Sequence, residues 1–262
     1  MDRPERISSQ QDIFSRKKVG LALGGGAVLG AAHIGVLKAF AELGIQIHCI
    51  TGASVGAVVA TLHAFGIPLS EMEHFALHLK WPDSTRLHIS KMGLLSNEAL
   101  GRMIQGRLGN AGIQEASIPL AIPATDIESG EKLVFTSGDI KTAIMASTCV
   151  PGIFVPVELH GRMLVDGGLL ENVPLSLLSG LGADFRVGVD LTARREFPRP
   201  DHMIDVIGNA IEMALACSTR IQTKAADLLI CPDLSGYSFV GTGHVDELIR
   251  KGYDAALAAL SP

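Results

Sequence analysis

One serine lies in a pentapeptide that suits nucleophilic chemistry. Gly52-Ala53-Ser54-Val55-Gly56 has the pattern G-x-S-x-G, directly after an apolar strand-like segment and directly before an apolar helical segment. A serine in this context lies on a sharp turn with its hydroxyl exposed above a sheet, and the first amides of the helix favour developing negative charge. The pattern predicts Ser54 as the nucleophile of an acyl transfer. The alternative is a serine that only caps the helix.

A second glycine-rich turn, over residues 24–30, joins the first predicted strand to the first predicted helix. A dinucleotide site at such a turn requires G-x-G-x-x-G and an acidic residue about 20 positions later, and the sequence has neither. An oxyanion hole requires bare backbone amides, which Gly25, Gly26 and Ala27 would supply to an intermediate formed on Ser54. A close-packed turn without a function is the other interpretation.

A serine nucleophile needs a proton acceptor, and none of the nine histidines has neighbours that mark it as one. A carboxylate replaces histidine when burial raises its pKa. Asp166 is the candidate because it ends a predicted strand and is followed by two glycines, although such a turn alone is more often only a turn. The alternative is a Ser-His-Asp triad completed by Asp190 with His202 or His244.

The elements that must position these residues alternate as β-α-β-α, which predicts a parallel sheet covered by helices, with loops at the carboxyl ends of the strands. Residues 1–18 are predicted to form a polar tail, and residues 19–262 one domain with a helical subregion at about 68–116. Helices are also expected after each glycine-rich turn, after Pro174, and over 201–225 and 243–260. Strands are predicted at 19–23, 45–50, 120–124, 133–135, 155–159, 163–165, 185–189 and 228–231.

Composition excludes several classes of function. A chain of 262 residues with 47% hydrophobic content supports one large core, and a net charge of −5 without long charged blocks argues against a nucleic-acid partner. The four cysteines are scattered, so neither a zinc knuckle nor a disulfide framework is indicated. Because the first residues are charged and no long apolar run follows, we expect a cytoplasmic protein.

The motifs LALGGGAVLGAAHIGVL, TGASVG, ATDIESGE, ASTCVPGIFVPVELHGRMLVDGGLLENVP and LGADFRVGVDL together resemble the patatin-like phospholipase family. The similarity is greatest to compact bacterial members and to the catalytic domain of neuropathy target esterase. It implies a three-layer α/β/α sandwich with a mainly parallel sheet and a Ser-Asp dyad at Ser54 and Asp166, with the oxyanion loop at residues 25–27. Lipid esters would be hydrolysed through an acyl-serine intermediate, without metal or cofactor. A non-catalytic lipid-binding module on the same fold is the alternative.

This sequence departs from the family in its glycine loop, where Leu29 occupies a position that is usually arginine or lysine and Ala27 replaces a third glycine. The loss of the basic side chain weakens the inference to phospholipids more than the inference to esters.

Several other residues have a purely structural interpretation beside a functional one. His74 and His78 have a metal-binding spacing, but no third ligand is indicated, and a solvated helix face is the favoured interpretation. Asp126 is interpreted as a turn residue, and Leu94 and Leu95 either line an acyl channel or pack inward. A locally basic group suggests peripheral membrane contact or an ordinary solvated surface, and no feature specifies an oligomeric state. That group consists of Lys80, Trp81, Arg86, His88, Lys91, Arg102 and Arg107.

Overall fold

The computed structural model describes residues 14, 16–78, 86–87, 92–197, 199–238 and 243–260. Eight of the described strands form one sheet in the order β10-β9-β1-β2-β5-β8-β7, with β6 paired to β5. Pairing is parallel from β10 to β5, whereas β6, β7 and β8 are antiparallel to their neighbours. These strands are β1 (Val19–Leu23), β2 (Ile47–Gly52), β5 (Leu120–Asp126), β6 (Lys132–Phe135), β7 (Val157–Leu159), β8 (Arg162–Asp166), β9 (Phe185–Val189) and β10 (Leu228–Ile230).

Helices cover both faces of the sheet. The described helices are α1 (Ala31–Glu42), α2 (Val55–Ala64), α3 (Leu69–His78), α4 (Glu98–Leu108), α5 (Ile140–Ser147), α6 (Ser176–Gly180), α7 (Met203–Gln222) and α8 (Val245–Leu260). Side chains of β1 alternate between the layers: Leu21 and Leu23 join the large core with α1, α2 and α8, whereas Ala22 packs in a smaller cluster with Leu178 of α6. The three-layer arrangement is the one that the sequence resemblance implied.

Close contact between helices on one face depends on glycine. A Cβ on Gly35 of α1 would lie 1.8 Å from the Ile249 carbonyl oxygen of α8, and a Cβ on Gly252 of α8 would lie 1.9 Å from the Ala32 carbonyl oxygen. Backbone therefore packs on backbone where α1 and α8 cross.

Most predicted elements are present, with some changes of boundary. Strand β2 extends to Gly52 rather than ending at residue 50, and the predicted hairpin turn is confirmed by positive φ at His160 (51°) and Gly161 (75°). The helical subregion also contains a short antiparallel pair, β3 (Arg86–Leu87) with β4 (Leu95–Ser96). Helix α5 was not predicted, although Asp139 caps it by accepting a hydrogen bond from the Thr142 amide at 2.8 Å.

Candidate active site

The turn that carries Ser54 is built by two glycines that approach other backbone. A Cβ on Gly52 would lie 2.2 Å from the carbonyl oxygen of Gly56, and a Cβ on Gly56 would lie 2.2 Å from the carbonyl oxygen of Leu23. Ser54 itself has φ 54° and ψ −127°, a conformation that a non-glycine residue rarely adopts. The strand-to-helix reversal therefore takes two residues and lifts Ser54 above the carboxyl edge of the sheet.

The hydroxyl of Ser54 does not cap helix α2. Ser54 occupies the N-cap position, but its side chain accepts no capping hydrogen bond, and its own amide donates to the Ser147 Oγ at 3.1 Å. The hydroxyl instead lies close enough to the carboxyl group of Asp166 to lower the pKa of that carboxyl. The structure thus brings the two predicted site residues together and disfavours the capping interpretation of the serine.

Strand register explains this meeting. Thr51 of β2 pairs with Ala121 of β5, and Asp166 of β8 pairs with Ala124 of β5. If the β2 register continued for three residues, Ser54 would lie level with Ala124. Strands β2 and β8 pair with the same edge of β5, since the Ile50 amide bonds the Pro119 carbonyl oxygen and the Ile127 amide bonds the Met163 carbonyl oxygen, so the ends of the two strands meet at that edge. Gly167 makes the approach possible, because a Cβ there would lie 2.2 Å from the Pro123 carbonyl oxygen.

Asp166 is buried, with 7% of its surface exposed, in a place that raises its pKa to about 6. Desolvation is the largest cause, and it is partly offset by hydrogen bonds from the Ser54 hydroxyl and the Gly168 amide. The Gly168 amide lies 2.7 Å from Oδ1, and the Thr125 hydroxyl donates to the Asp166 backbone carbonyl at 3.0 Å. Asp166 is therefore a stronger base than an exposed carboxylate and still ionises near neutral pH.

The glycine loop lies against Ser54, but its amides are not equivalent. A Cβ on Gly25 would lie 3.2 Å from the Ser54 Cβ. The Gly25 amide donates to Asn172, to Oδ1 at 3.1 Å and to the backbone carbonyl oxygen at 3.3 Å, which differs from its predicted role as an oxyanion donor. The Gly26 and Ala27 amides have no hydrogen-bond acceptor among the described residues, and Ala27 has a φ of 49°.

Three residues that support this geometry were not found from the sequence. Ser147, at the end of α5, accepts the Ser54 amide; Asn172 holds Gly25; and the buried His33 Nε2 lies 2.8 Å from the Gly24 carbonyl oxygen. Burial lowers the pKa of His33 to about 4, against the opposing effect of that backbone contact, so the ring is neutral and donates to the carbonyl. The asparagine of Glu-Asn-Val-Pro, six residues after Asp166, was the one available sequence signal.

An apolar pocket with a cavity volume of about 130 Å³ opens beside Ser54. Its polar lining residues are Ser54, Asn97 and Thr148. Asn97 Nδ2 is already bonded to the Thr148 hydroxyl at 3.0 Å and to the Met145 carbonyl oxygen at 2.8 Å. The wall is otherwise hydrocarbon, including Ile34, Val58, Val59, Leu62, Met72, Phe75, Ala76, Leu100, Val150 and Phe154.

Asp190 and His244, two residues of the alternative Ser-His-Asp triad, contact residues other than Ser54. The Asp190 Oδ1 accepts hydrogen bonds from the amide and the hydroxyl of Thr192, both at 2.8 Å, and the His244 Nδ1 lies 3.2 Å from Glu247 on the surface. His202 is exposed at the start of α7. The described coordinates show no hydrogen bond between Ser54 and a histidine.

The remaining predicted surface features have local roles. Asp126 accepts a hydrogen bond from the Glu128 amide at 3.1 Å, as a turn residue does. His74 and His78 stack with ring centroids 4.0 Å apart, and within the described part of the chain no group of acidic, histidine and cysteine residues could hold a metal ion. Leu95 is half-buried, and Leu94 is 59% exposed.

Part of the basic group can also be placed. Arg102 pairs with Glu98 at 2.8 Å, and Arg107 lies 4.1 Å from the Phe75 ring centroid. Lys80, Trp81, His88 and Lys91 lie outside the described residues, and for Arg86 only the backbone is described.

The sequence matches the model of the patatin-like phospholipase family over residues 21–179, a span that includes the serine turn, the glycine loop and Asp166. The chain belongs to the patatin-like phospholipase family, which confirms the resemblance read from its motifs. Family membership supports an esterase or phospholipase activity.

Relatives extend beyond this chain in length. A protein of Mycobacterium tuberculosis described as an uncharacterized NTE family protein is 38% identical over 220 residues, covering 82% of this chain and 61% of that protein. A Pyricularia oryzae protein named lysophospholipase NTE1 is 31% identical over 284 residues, covering 93% of this chain and 18% of that protein.

Two solved structures share the fold. VipD from Legionella pneumophila superposes with a TM-score of 0.59 at 14% identity, covering 93% of this chain and 66% of that one. The type III effector protein ExoU gives a TM-score of 0.52 at 13% identity, covering 92% and 52%. Among the described helices, none has the length and hydrophobicity needed to cross a bilayer.

Proposed function

We propose that this protein is a serine acyl hydrolase that cleaves lipid carboxylic esters with Ser54 as nucleophile and Asp166 as its base. One observation carries the proposal: a serine held at positive φ, not used as a helix cap, lies beside a buried carboxyl group and lowers its pKa. Strained backbone at a nucleophile and a raised carboxyl pKa are both features that folded proteins concentrate at functional sites.

The reaction would proceed in two balanced halves. The Ser54 Oγ attacks the ester carbonyl carbon while its proton passes to Asp166, and that proton then goes to the departing alcohol oxygen as the acyl-serine forms. Water attacks the acyl-serine and gives a proton to Asp166, which returns it to the Ser54 Oγ as the carboxylic acid leaves. Asp166 alternates between base and acid, a role suited to a carboxyl whose pKa is about 6.

The Gly26 and Ala27 amides are the proposed oxyanion donors. Gly26 directly precedes a short 3-10 turn over Ala27–Gly30, and Ala27 begins it. Ala27 also lines the same pocket as Ser54. The Gly25 amide, bonded to Asn172, would instead fix the position of the loop. A fixed donor matters because it is already oriented when charge develops on the substrate oxygen.

The pocket supports a long apolar acyl chain as the substrate portion beside Ser54. Leu29, at the position where the family resemblance led us to expect a basic residue, is 1% exposed and packs in the core, so it offers nothing to a phosphate. Because the apolar pocket beside Ser54 suits one acyl chain, we propose a substrate with one such chain, either a simple fatty ester or a lysophospholipid whose phosphate would not be bound by residue 29. The name of the fungal relatives, lysophospholipase, agrees with this class.

Contact with a lipid surface belongs to the same proposal. Leu94 and Ile153 are 59% and 46% exposed and lie side by side, with the Leu94 amide bonded to the Ile153 carbonyl oxygen at 3.0 Å. Val150, 37% exposed, lies on the rim and also lines the pocket. An apolar rim continuous with an acyl pocket would let a lipid enter without crossing water.

The test is ester turnover and fluorophosphonate labelling of the purified chain, with each of its histidines replaced in turn. We expect hydrolysis of aryl esters and of lysophosphatidylcholine, loss of both in Ser54→Ala, and retention in every histidine variant except that of His33, which supports the glycine loop. Loss of turnover in a folded variant of any other histidine would favour a triad. A folded wild-type protein that neither reacts with the probe nor hydrolyses any ester would favour the lipid-binding module.

A further inference from the structure

Helix α7 has its apolar side turned away from the protein. Its 20 residues, Met203–Gln222, are anchored by Arg195 Nε to Glu212 at 2.8 Å and by Gln222 Nε2 to the Leu170 carbonyl oxygen at 2.7 Å. Thr219, on the same side as these anchors, is 2% exposed. Polar side chains therefore hold the helix to the body, together with the half-buried Gly208, Leu215 and Ala216, whereas an ordinary surface helix turns its apolar stripe inward.

The outward side has a regular spacing. Positions 203, 207, 210, 214, 217 and 221 are separated by four and three residues in alternation, the repeat of a coiled-coil seam. We call these six residues the α7 stripe, and all are exposed: Met203, Ile207, Ala210, Ala214, Cys217 and Ile221. Met203 is 76% exposed, Ile207 52% and Ile221 68%.

We propose that the α7 stripe is the contact surface for a second copy of this chain, with the two α7 helices antiparallel about a twofold axis at residue 212. The stripe is symmetric about that point, so each member meets another member of the stripe. Met203 lies opposite Ile221 of the second copy, Ile207 opposite Cys217, and Ala210 opposite Ala214. Large residues meet at the ends, and the two alanine layers let the helices approach at the centre.

Charge and helix direction favour the antiparallel arrangement over the parallel one. Asp201, just before the helix, would lie close to Lys224 of the second copy, just after it, and both are exposed. A parallel pair would place like charges together and align the two helix dipoles.

The same surface fits a bilayer poorly. Helices that lie on membranes carry Lys and Arg on the face opposite the apolar one. The corresponding face of α7 contacts its own domain and carries Glu212, which is paired with Arg195.

The size of the stripe sets the expected strength of the dimer. A 20-residue helix is about 30 Å long and about 10 Å wide, so half of its surface is on the order of 450 Å². Two such faces bury roughly 900 Å², just under the ~1,000 Å² expected of a specific interface. The dimer should therefore be reversible and weak, with a dissociation constant in the micromolar range.

Sedimentation velocity from low micromolar to near-millimolar protein tests the proposal. We expect a concentration-dependent shift from monomer to dimer, lost in Ile207→Glu and retained in the matched control Ile127→Glu, whose side chain is 47% exposed on a distant turn. Turnover should be the same in both variants. A monomer throughout the range, or a dimer that Ile207→Glu leaves intact, would overturn the proposal.

Disulfide trapping tests the direction of the helices. Cys217 is exposed, so under mild oxidation Ile207→Cys should yield a covalent dimer through residues 207 and 217, whereas wild type should not cross-link. Wild type that cross-links through Cys217 alone would indicate parallel helices and contradict the proposed arrangement. Vesicle binding that depends on Ile207, without a dimer, would assign the stripe to lipid instead.

Discussion

Replacement of Asp166 by asparagine should abolish turnover and, at neutral pH, stabilise the protein. Burial raises the pKa of Asp166 from 3.8 to about 6, and each unit corresponds to about 1.36 kcal/mol. Because the pKa of Asp166 is higher in the folded state than in the unfolded state, the contribution of this group to stability is greatest below pH 3.8. As the pH rises past 6, the free energy of unfolding of wild type falls by about 3 kcal/mol. Asparagine has no such loss, and its carbonyl oxygen can still accept the Gly168 amide.

The measurement is thermal unfolding of wild type and Asp166→Asn from pH 5 to pH 7.5. About half of the 3 kcal/mol should appear in this interval, so the advantage of the variant should grow by roughly 3–5 °C in Tm. Asp254→Asn, on the exposed side of α8, is the matched control. A variant that is less stable than wild type by the same amount at every pH would refute the reasoning, because Asp166 would then be a structural partner rather than a buried base.

Three further substitutions test the supports of the site. Gly56→Ala should lower the free energy of unfolding, measured with a chemical denaturant, by about 3 kcal/mol or more, because its Cβ would lie 2.2 Å from a backbone oxygen. Gly180→Ala is the control, since a Cβ there meets nothing within 4 Å. Equal effects of the two substitutions would contradict the packing argument. In wild type, kcat/KM should rise by up to about fourfold for each methylene added to the acyl chain. Ala76→Phe should block the pocket and remove this rise, while acetate esters react normally. Leu77→Phe is its control, and an unchanged chain-length profile would place the acyl chain elsewhere. Asn172→Ala should lower kcat on the order of tenfold with little change in KM, and a change in KM alone would remove its role in setting the loop.

Local sequence signals were sufficient to predict the turns that carry Ser54 and Asp166, because the glycines that mark each turn are next to these residues in the chain. The glycines around Ser54 indicate a tight turn, and the glycines after Asp166 indicate a close approach to other backbone. Both residues could therefore be assigned to their turns from the sequence alone. Their meeting depends on β2 and β8 pairing with the same edge of β5, which is a property of the sheet topology. Motif order, through the family resemblance, supplied that information indirectly.

Contacts between distant segments were not predictable in the same way. The bond from Ser147 to the Ser54 amide spans 93 residues, and the bond from Asn172 to Gly25 spans 147. Helix α5 was missed although Asp139 gives it a capping signal, because residues Ile140 and Thr142 are β-branched and disfavour a helical reading. The periodicity of α7 predicted a helix, but periodicity gives the spacing of an apolar stripe and not the direction in which it points.

The central claim is that the Ser54 hydroxyl gives its proton to Asp166 and to no histidine. Its most direct test is the rate of fluorophosphonate labelling of Ser54 as a function of pH, followed by intact-protein mass spectrometry. We predict that the rate rises with one ionisation near pH 6, is unchanged in the variants of every histidine other than the loop-supporting His33, and is absent in Asp166→Asn. Normal labelling of Asp166→Asn, together with loss of labelling in a single histidine variant, would contradict it.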